Sequence, residues 1–282
     1  MITLIKILPQ ETEHLVSAEY HLLLLLGNDD WQFVLLNKLR KQISGLLIFH
    51  FEKNDATKDF KAKWDEIISD YPFLDKYFSS VTIAYNYDEA MLLPDSHYDT
   101  VSRKIAMDTL YGEDTKTDIL NDFVADGQIT VVYRIPTTMH RFLQRNYINA
   151  SHRHYYSLEL DALDKGSYED IMTVNFFNNR YVVKLTKKGC VQLIQTYPFK
   201  QPEDVLFYLL AITEEFGCNR EEIALIIGGM VDEISPVFLE IRKYFLNAQL
   251  AEKPESFECG TTFNGYPVHY FNPAFTMVSC VL

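Results

Sequence analysis

The sequence predicts an α/β protein built from one βββαβαβα unit written twice. Three observations carry this. Apolar runs joined by tight polar turns come in two groups of three, one from residue 19 and one from residue 171. Each group leads into a segment with helical apolar spacing, then a short apolar strand, then a second helical segment. The order of elements repeats although the letters do not. First strands start at 19 and 171, first helices near 58 and 202, next strands at 81 and 222, so the offset drifts from 152 through 144 to 141 with loop length.

Residues 19–26 and 31–36 are the first two strands. The turn Gly27-Asn28-Asp29-Asp30 joins them as a hairpin, and Gly45 introduces a third strand at 46–51. Phe60, Trp64, Ile67, Ile68 and Tyr71 share one helical face, with Thr57 placed to cap the helix and Pro72 to stop it. Residues 81–85 form a strand, 96–110 a helix and 112–127 a polar loop. A strand at 128–133 follows, and Pro136 opens a helix through Met139, Phe142 and Leu143.

In the second half, strands 171–177 and 181–185 flank the turn Asn178-Asn179-Arg180, and Lys187-Lys188-Gly189 turns into a strand at 190–195. A helix opens at Pro202 with Glu203 and Asp204 in its first turn, where the dipole favours acids. It buries Val205, Leu206, Leu209, Ile212 and Phe216 and stops at Gly217. Residues 222–227 form a strand ending in Gly228-Gly229. Ser235 caps and Pro236 opens a helix with Val237, Phe238, Ile241, Tyr244 and Phe245 inward. Residues 266–271 read as a last strand, and Asn272-Pro273 opens the last helix. Residues 148–170 and 248–265 fit no single element, and 155–163 suits strand and helix alike. The repeat divides the chain into a first subdomain, 1–150, and a second, 151–282.

Composition bounds the function. Hydrophobic residues make up 48% and charged residues 23%, enough for a sizeable core in a soluble globular chain. The net charge of −13 opposes binding to nucleic-acid backbones and to anionic membrane surfaces. The longest leucine run, from Leu22 to Leu26, is far short of a membrane span, and Lys6, Pro9, Glu11 and Glu13 make the N-terminus a poor signal peptide. Cys190, Cys218, Cys259 and Cys280 form no C-x-x-C pair and read as reduced thiols of a cytoplasmic protein. Aromatic residues reach 14%, a surplus that suits an interface as well as a core.

Two tandem βββαβαβα units resemble the actin-like ATPase fold, also called ribonuclease H-like, over about residues 15–282. A more specific resemblance is to a bacterial family of unknown function with this fold. It is carried by Gln195-Thr196-Tyr197-Pro198-Phe199 with Pro202-Glu203-Asp204 and Phe207-Tyr208-Leu209, by residues 223–229 followed by 235–244, and by His269-Tyr270-Phe271. The resemblance implies two mixed sheets covered by helices on both faces, with a nucleotide cleft between the units for ATP and magnesium. Active members of the superfamily carry an Asp-x-Gly hairpin turn in each unit. Its glycine admits phosphate to backbone N–H groups, and its Asp positions metal or water. The matching turns here are Gly27-Asn28-Asp29-Asp30 and Asn178-Asn179-Arg180, and neither contains Asp-x-Gly. The third motif, an apolar strand ending in Gly-Gly for the adenosine, is matched by Ile226-Ile227-Gly228-Gly229-Met230.

The resemblance therefore marks Gly228 and Gly229 as the first candidates for a cofactor, Gly27 and Asn28 as the next, and Asn178 and Asn179 as the last. No catalytic or metal-binding residue is assigned. Each motif also has a plain structural reading: a tight hairpin, or a strand exit that needs positive φ or close helix packing. No phosphate loop and no Gly-x-Gly-x-x-Gly is present. His152-Arg153-His154 lacks acids or cysteines at ligand spacing and reads as a polar pair. Asp95-Ser96-His97 and Asp161 are isolated, and Asp108 to Asp122 reads as a solvated acidic loop without the calcium-loop pattern. The expected function is that of a non-catalytic actin-fold protein that acts through an unidentified protein partner and retains a degenerate nucleotide cleft. The alternative is an active ATPase or kinase in which Asp29 or Asp30 holds magnesium. A nuclease of the ribonuclease H type needs clustered carboxylates that no strand presents.

Overall fold

The computed structural model describes residues 1–9, 16–52, 59–94, 99–124, 128–162 and 170–282. The chain divides into two compact units. Unit 1 comprises Met1–Asp161, Glu255–Phe263 and Met277–Leu282, and unit 2 comprises Ala162–Pro254 and Asn264–Thr276. Unit 1 runs β1 (Ile2–Ile7), β2 (Tyr20–Gly27), β3 (Asp30–Asn37), β4 (Gln42–His50), α1 (Phe60–Asp70), β5 (Ser80–Asn86), β6 (Ala90–Pro94) and α2 (Thr100–Tyr111). It continues with β7 (Thr117–Val124), β8 (Ile129–Pro136), α3 (Thr137–Asn146), β9 (Ser151–His154) and α4 (Tyr155–Asp161). Unit 2 runs β10 (Ile171–Phe176), β11 (Arg180–Lys187), β12 (Cys190–Pro198), α5 (Pro202–Glu215), β13 (Ala224–Gly229), α6 (Pro236–Arg242) and β14 (Ala248–Leu250). The tail adds β15 (Glu258–Cys259) and α7 (Asn272–Ser279).

The duplication lies in the sheets. Unit 1 contains β4-β3-β2-β5-β9 and unit 2 contains β12-β11-β10-β13-β14, the same order. In each, the first three strands are antiparallel and the last two run parallel to the first. Even the irregularities match: the register shifts between Leu35 and Leu36 in one repeat and between Leu185 and Thr186 in the other. All eight residues of β3 are buried, as expected of a central strand covered on both faces. In unit 2, Val174, Val183, Leu185, Leu225 and Ile227 of the sheet pack with Val205 and Leu209 of α5 and Phe238 and Ile241 of α6.

Local chemistry sets most ends. The Asp59 carboxylate accepts from the Ala62 N–H at 2.8 Å and caps α1, the role the sequence suggested for Thr57, which lies outside the described residues. A capping box between Gln201 and Asp204 starts α5, and Gly217, at φ +59°, stands just past its end. The Ser235 side chain accepts from the Phe238 N–H at 3.2 Å and caps α6. Pro136 caps α3, which begins one residue later than expected.

The structure adds one element to the expected order and corrects five readings. The N-terminal apolar stretch is a strand, β1, that buries Ile5 and Ile7 against β4. The stretch 112–127, expected as a loop, contains a strand, because Thr117–Val124 forms β7. The strand at 128–133 belongs with β6 and β7 in a separate antiparallel sheet, β6-β8-β7. The fifth strand of the main sheet is instead β9, inside the stretch that fitted no single element, and it leads directly into α4. Residues 266–271 are not a strand: 3-10 turns at Thr261–Gly265 and Val268–Phe271 flank Pro267, which has no N–H for a ladder. Tyr244 is exposed, because α6 ends at Arg242 and only Phe245 of that pair turns inward.

None of the four cysteines forms a disulfide. Among the described residues no helix is long and apolar enough to cross a membrane.

Candidate functional site

The Gly228-Gly229 exit sits where β13 runs parallel to β10, with Asn175 opposite Gly228 and Phe176 opposite Gly229. Gly229 has φ +83°, and a methyl group there would run into the Phe176 carbonyl. The Met230 N–H donates to that same carbonyl at 2.9 Å, so the reversed backbone closes a turn onto β10. A Cβ on Gly228 would lie 2.5 Å from Asn272 Cβ and 2.7 Å from Asn175 Oδ1. The Asn272 Nδ2 donates to Asn175 Oδ1 at 2.8 Å, and Asn175 is 2% exposed. The first residue of α7 thus fills the space on the Cβ side of Gly228.

The turn before α7 is pinned to the same strand exit. His269 Nε2 lies 2.7 Å from the Val231 carbonyl, so Nε2 carries the proton and donates it. The Tyr270 hydroxyl donates to Asp232, and burial together with that bond pushes its pKa up to about 12. Both glycines answer packing demands inside unit 2.

The two hairpin turns occupy matching positions. Gly27 is buried and its carbonyl accepts from Trp31 Nε1 at 3.0 Å, while Asn28 is exposed. The Asp29 carbonyl accepts from the Phe51 N–H at 2.8 Å and from His50 Nδ1 at 3.0 Å. In unit 2, Asn178 and Asn179 are exposed, and the Asn179 carbonyl accepts from the Phe199 N–H at 3.0 Å. The turns are ladder-closing hairpins. Asp30 opens β3 at 4% exposure, and its counterpart Arg180 is a cation over the Phe177 ring at 5.6 Å. A repeated acidic pair for magnesium is therefore missing from the second turn.

Unit 1 holds a polar cluster that the sequence reading missed. At the end of β5, the Tyr85 hydroxyl lies 3.0 Å from His140 Nδ1 and 2.7 Å from His152 Nδ1. A hydroxyl donates one proton and accepts another, so one imidazole presents N–H and the other a lone pair. Burial lowers the pKa of both histidines, that of His152 to about 4, with the neighbouring His140 a smaller cause. Beside them, Asp122 on β7 accepts from Ser157 Oγ at 2.6 Å, from the His154 N–H at 2.7 Å and from the Tyr133 hydroxyl at 3.1 Å. Burial raises the Asp122 pKa against the pull of these bonds. His154 Nδ1 accepts from the Tyr156 N–H at 3.2 Å, so its Nε2 carries the proton and donates to the Tyr87 carbonyl at 3.0 Å.

The stretch from Asp108 to Asp122 is thus no solvated loop. Asp108 bonds Arg134, which is 2% exposed, and Arg134 also reaches Glu89 at 3.2 Å and the Gly112 carbonyl at 2.7 Å. Both ends of that stretch brace β6-β8-β7 rather than face water. His152 and His154 join this network, whereas Asp161 pairs with Arg153 at 2.6 Å. Asp95, Ser96 and His97 lie outside the described residues. Among the described residues, no group of three or more His, Cys, Asp or Glu side chains is placed to hold a metal ion. A sequence signal for the cluster existed only in hindsight of pairing: aromatic and acidic residues at the ends of strands whose partners are distant in the chain.

The family described as "Protein of unknown function (DUF3822)" matches residues 9–248. Among solved structures, the chain is similar to a Bacteroides thetaiotaomicron protein with an actin-like ATPase fold and unknown function. The TM-score is 0.76 at 14% identity, covering 94% of this chain and 97% of that one. It is also similar to a chain of the PilM-PilN type IV pilus biogenesis complex (TM-score 0.56, 10% identity, 93% and 97% covered). A third likeness is to the ethanolamine utilization protein EutJ of Carboxydothermus hydrogenoformans (TM-score 0.50, 9% identity, 96% and 95% covered). No curated protein matches the sequence. These likenesses show the fold: the chain has an actin-like ATPase fold.

Proposed function

This chain belongs to the DUF3822 family of proteins of unknown function, and from that premise we propose a non-catalytic actin-fold protein that works by binding another protein. The observation that supports this most is the packing of Asn272 and Asn175 against Gly228. The one strand exit with the adenosine-motif pattern spends its glycines on its own fold. The absence of Asp-x-Gly from both hairpin turns and the cation Arg180 in the second point the same way. The nucleotide site is, on this reading, degenerate. A protein-binding role suits the fold, since one similar chain is PilM of the PilM-PilN complex.

Calorimetric titration with ATP and magnesium, with a thermal-shift scan beside it, tests the proposal. No heat and no shift at millimolar ATP are expected. Saturable binding weakened by Asp29→Asn or Asp30→Asn would overturn it in favour of an ATPase or kinase. Cross-linked capture from native lysate that returns no reproducible partner would count against the protein-binding half.

A further inference from the structure

The β3–β4 hairpin ends in a tip that its counterpart in the other repeat lacks. Both hairpins carry a bulge at the matching place, between Leu35 and Leu36 in one and between Leu185 and Thr186 in the other. Beyond the bulge the last paired residues are Asn37 with Gln42, and Lys187 with Cys190. Unit 2 closes its gap with two residues, Lys188 and Gly189, at φ +50° and +76°, the positive values that a two-residue hairpin turn needs. Unit 1 uses four: Lys38, Leu39, Arg40 and Lys41. A two-residue turn suffices for this hairpin, so half of the longer tip serves something other than closing it.

The tip is held in shape without its own side chains. Asn37 Oδ1 accepts from the Arg40 N–H at 3.0 Å, the Lys41 N–H donates to the Lys38 carbonyl at 3.3 Å, and Lys41 sits at φ +48°. All four side chains are exposed, and Leu39, at 92%, is the barest large hydrophobic residue among the described ones. Among the described residues none of the three cations bonds a carboxylate. Two acids stand at the base of the hairpin: Glu258 beside Gln42, and Glu19 next to the residue that faces Asn37. By register the tip extends past both. In a chain of net charge −13, four consecutive residues thus hold three cations around one bare leucine.

We propose that this tip seats the protein on an anionic lipid surface, with Leu39 entering the interface and Lys38, Arg40 and Lys41 set against headgroup phosphates. The inference goes beyond the protein-binding reading and stands apart from it. Size favours lipid over a protein partner. A stable protein interface takes about 20–30 residues a side, which a convex tip of four does not supply. A bilayer needs no shaped counterpart: an apolar side chain and a few cations held at one level give weak, reversible attachment. The net charge of −13 does not cancel the patch, because charge is screened over about 8 Å at physiological ionic strength and the tip leads the approach.

The test uses the full chain and vesicles of phosphatidylserine and phosphatidylcholine in equal parts, at about 0.1 M salt. Co-sedimentation is expected with these vesicles and not with phosphatidylcholine alone. Lys38→Gln should weaken it roughly fivefold. The triple variant Lys38→Glu, Arg40→Glu, Lys41→Glu should abolish it with the melting midpoint unchanged. In Leu39→Trp the added indole should shift its emission to the blue on binding, over a constant background from Trp31 and Trp64, which are buried. Four results would overturn the proposal. The chain could stay in the supernatant with the anionic vesicles. Binding could survive the triple variant, so that another surface is responsible. The added indole could keep its emission in the bound protein, so that the tip does not enter the interface. Polyglutamate could bind through the same three cations while vesicles do not, making the occupant an acidic protein segment. Any of these leaves the ATP titration silent, so failure of this tip is distinct from failure of the non-catalytic reading.

Discussion

Gly229 combines two constraints that a single methyl group would violate: a backbone at φ +83° and the Phe176 carbonyl directly in the Cβ path. Gly217 shares the positive φ, at +59°, but has nothing within 4 Å of its Cβ position. Gly217→Ala should therefore cost about 1 kcal/mol of backbone strain, and Gly229→Ala about 3 kcal/mol or more. Denaturant unfolding of the two variants reads the difference, and equal losses would sink the packing account of the Gly-Gly exit. Titration gives a second residue-scale expectation. Burial, with Lys38 nearby, lowers His21 to about 4, and burial lowers His152 to about 4. Their ordinary value is about 6.5. Between those limits the unfolded chain holds protons that the folded chain does not, so stability is full above about pH 6.5 and falls as pH drops toward 4. Partial exposure discounts the shift, leaving a combined loss of about 2–4 kcal/mol. Asp122 works in the opposite sense, because burial raises its folded pKa. Unfolding midpoints from pH 7 to 4.5 should slope downward, and less steeply in His21→Leu, which removes the proton site together with its contact to Thr82 Oγ1 at 2.8 Å.

At the scale of elements, the sheet β6-β8-β7 depends on one buried cation. Arg134 joins Asp108, Glu89 and the Gly112 carbonyl, three points separated along the chain. Arg134→Ala leaves Asp108 and Glu89 without their shared partner, and should cost about 3 kcal/mol. Amide exchange should accelerate across Ala90–Pro94 and Ile129–Pro136 before it does in β2 or β3; uniform acceleration would mean that the sheet is not a separate brace. The same elements explain what sequence could and could not reveal. Hairpins at Gly27 and Asn178, the stop at Gly217 and the cap at Ser235 were legible because their chemistry is complete within four residues. β7 was not, because its polar side chains satisfy partners far away: Asp118 bonds Thr137, 19 residues on, and Asp122 bonds Ser157, 35 residues on. A stretch that looks solvated when read locally becomes a strand once those donors arrive. The candidate site shows the same limit. Gly228 was legible by type, but Asn272, which fills its Cβ side, bonds Asn175 across 97 residues.

At the scale of the whole molecule, the tail is shared between both units. Glu255–Phe263 and Met277–Leu282 belong to unit 1, and Asn264–Thr276 belongs to unit 2. In unit 1 the tail supplies β15, which pairs with Gln42 and Ile43 of β4. In unit 2 it supplies His269 on Val231 and Asn272 on Asn175. Phe257, Phe263, Phe271, Phe275 and Met277 are each buried. Burial of such side chains is worth about 1.5–3 kcal/mol apiece, so together they rival the roughly 5–15 kcal/mol by which a domain is stable. Deleting residues 255–282 should therefore abolish the cooperative thermal transition of the whole chain rather than trim it, with dye-binding apolar surface exposed at 25 °C or about that temperature. Asn272→Ala removes one hydrogen bond while keeping the apolar set, and should lower the midpoint by only about 1 kcal/mol equivalent. A truncated chain that still melts cooperatively near the intact midpoint would show that the fold is complete before residue 255. The helix start over Gly228 would then be a lid laid on a finished strand exit, and the glycines beneath it would regain their claim to a ligand.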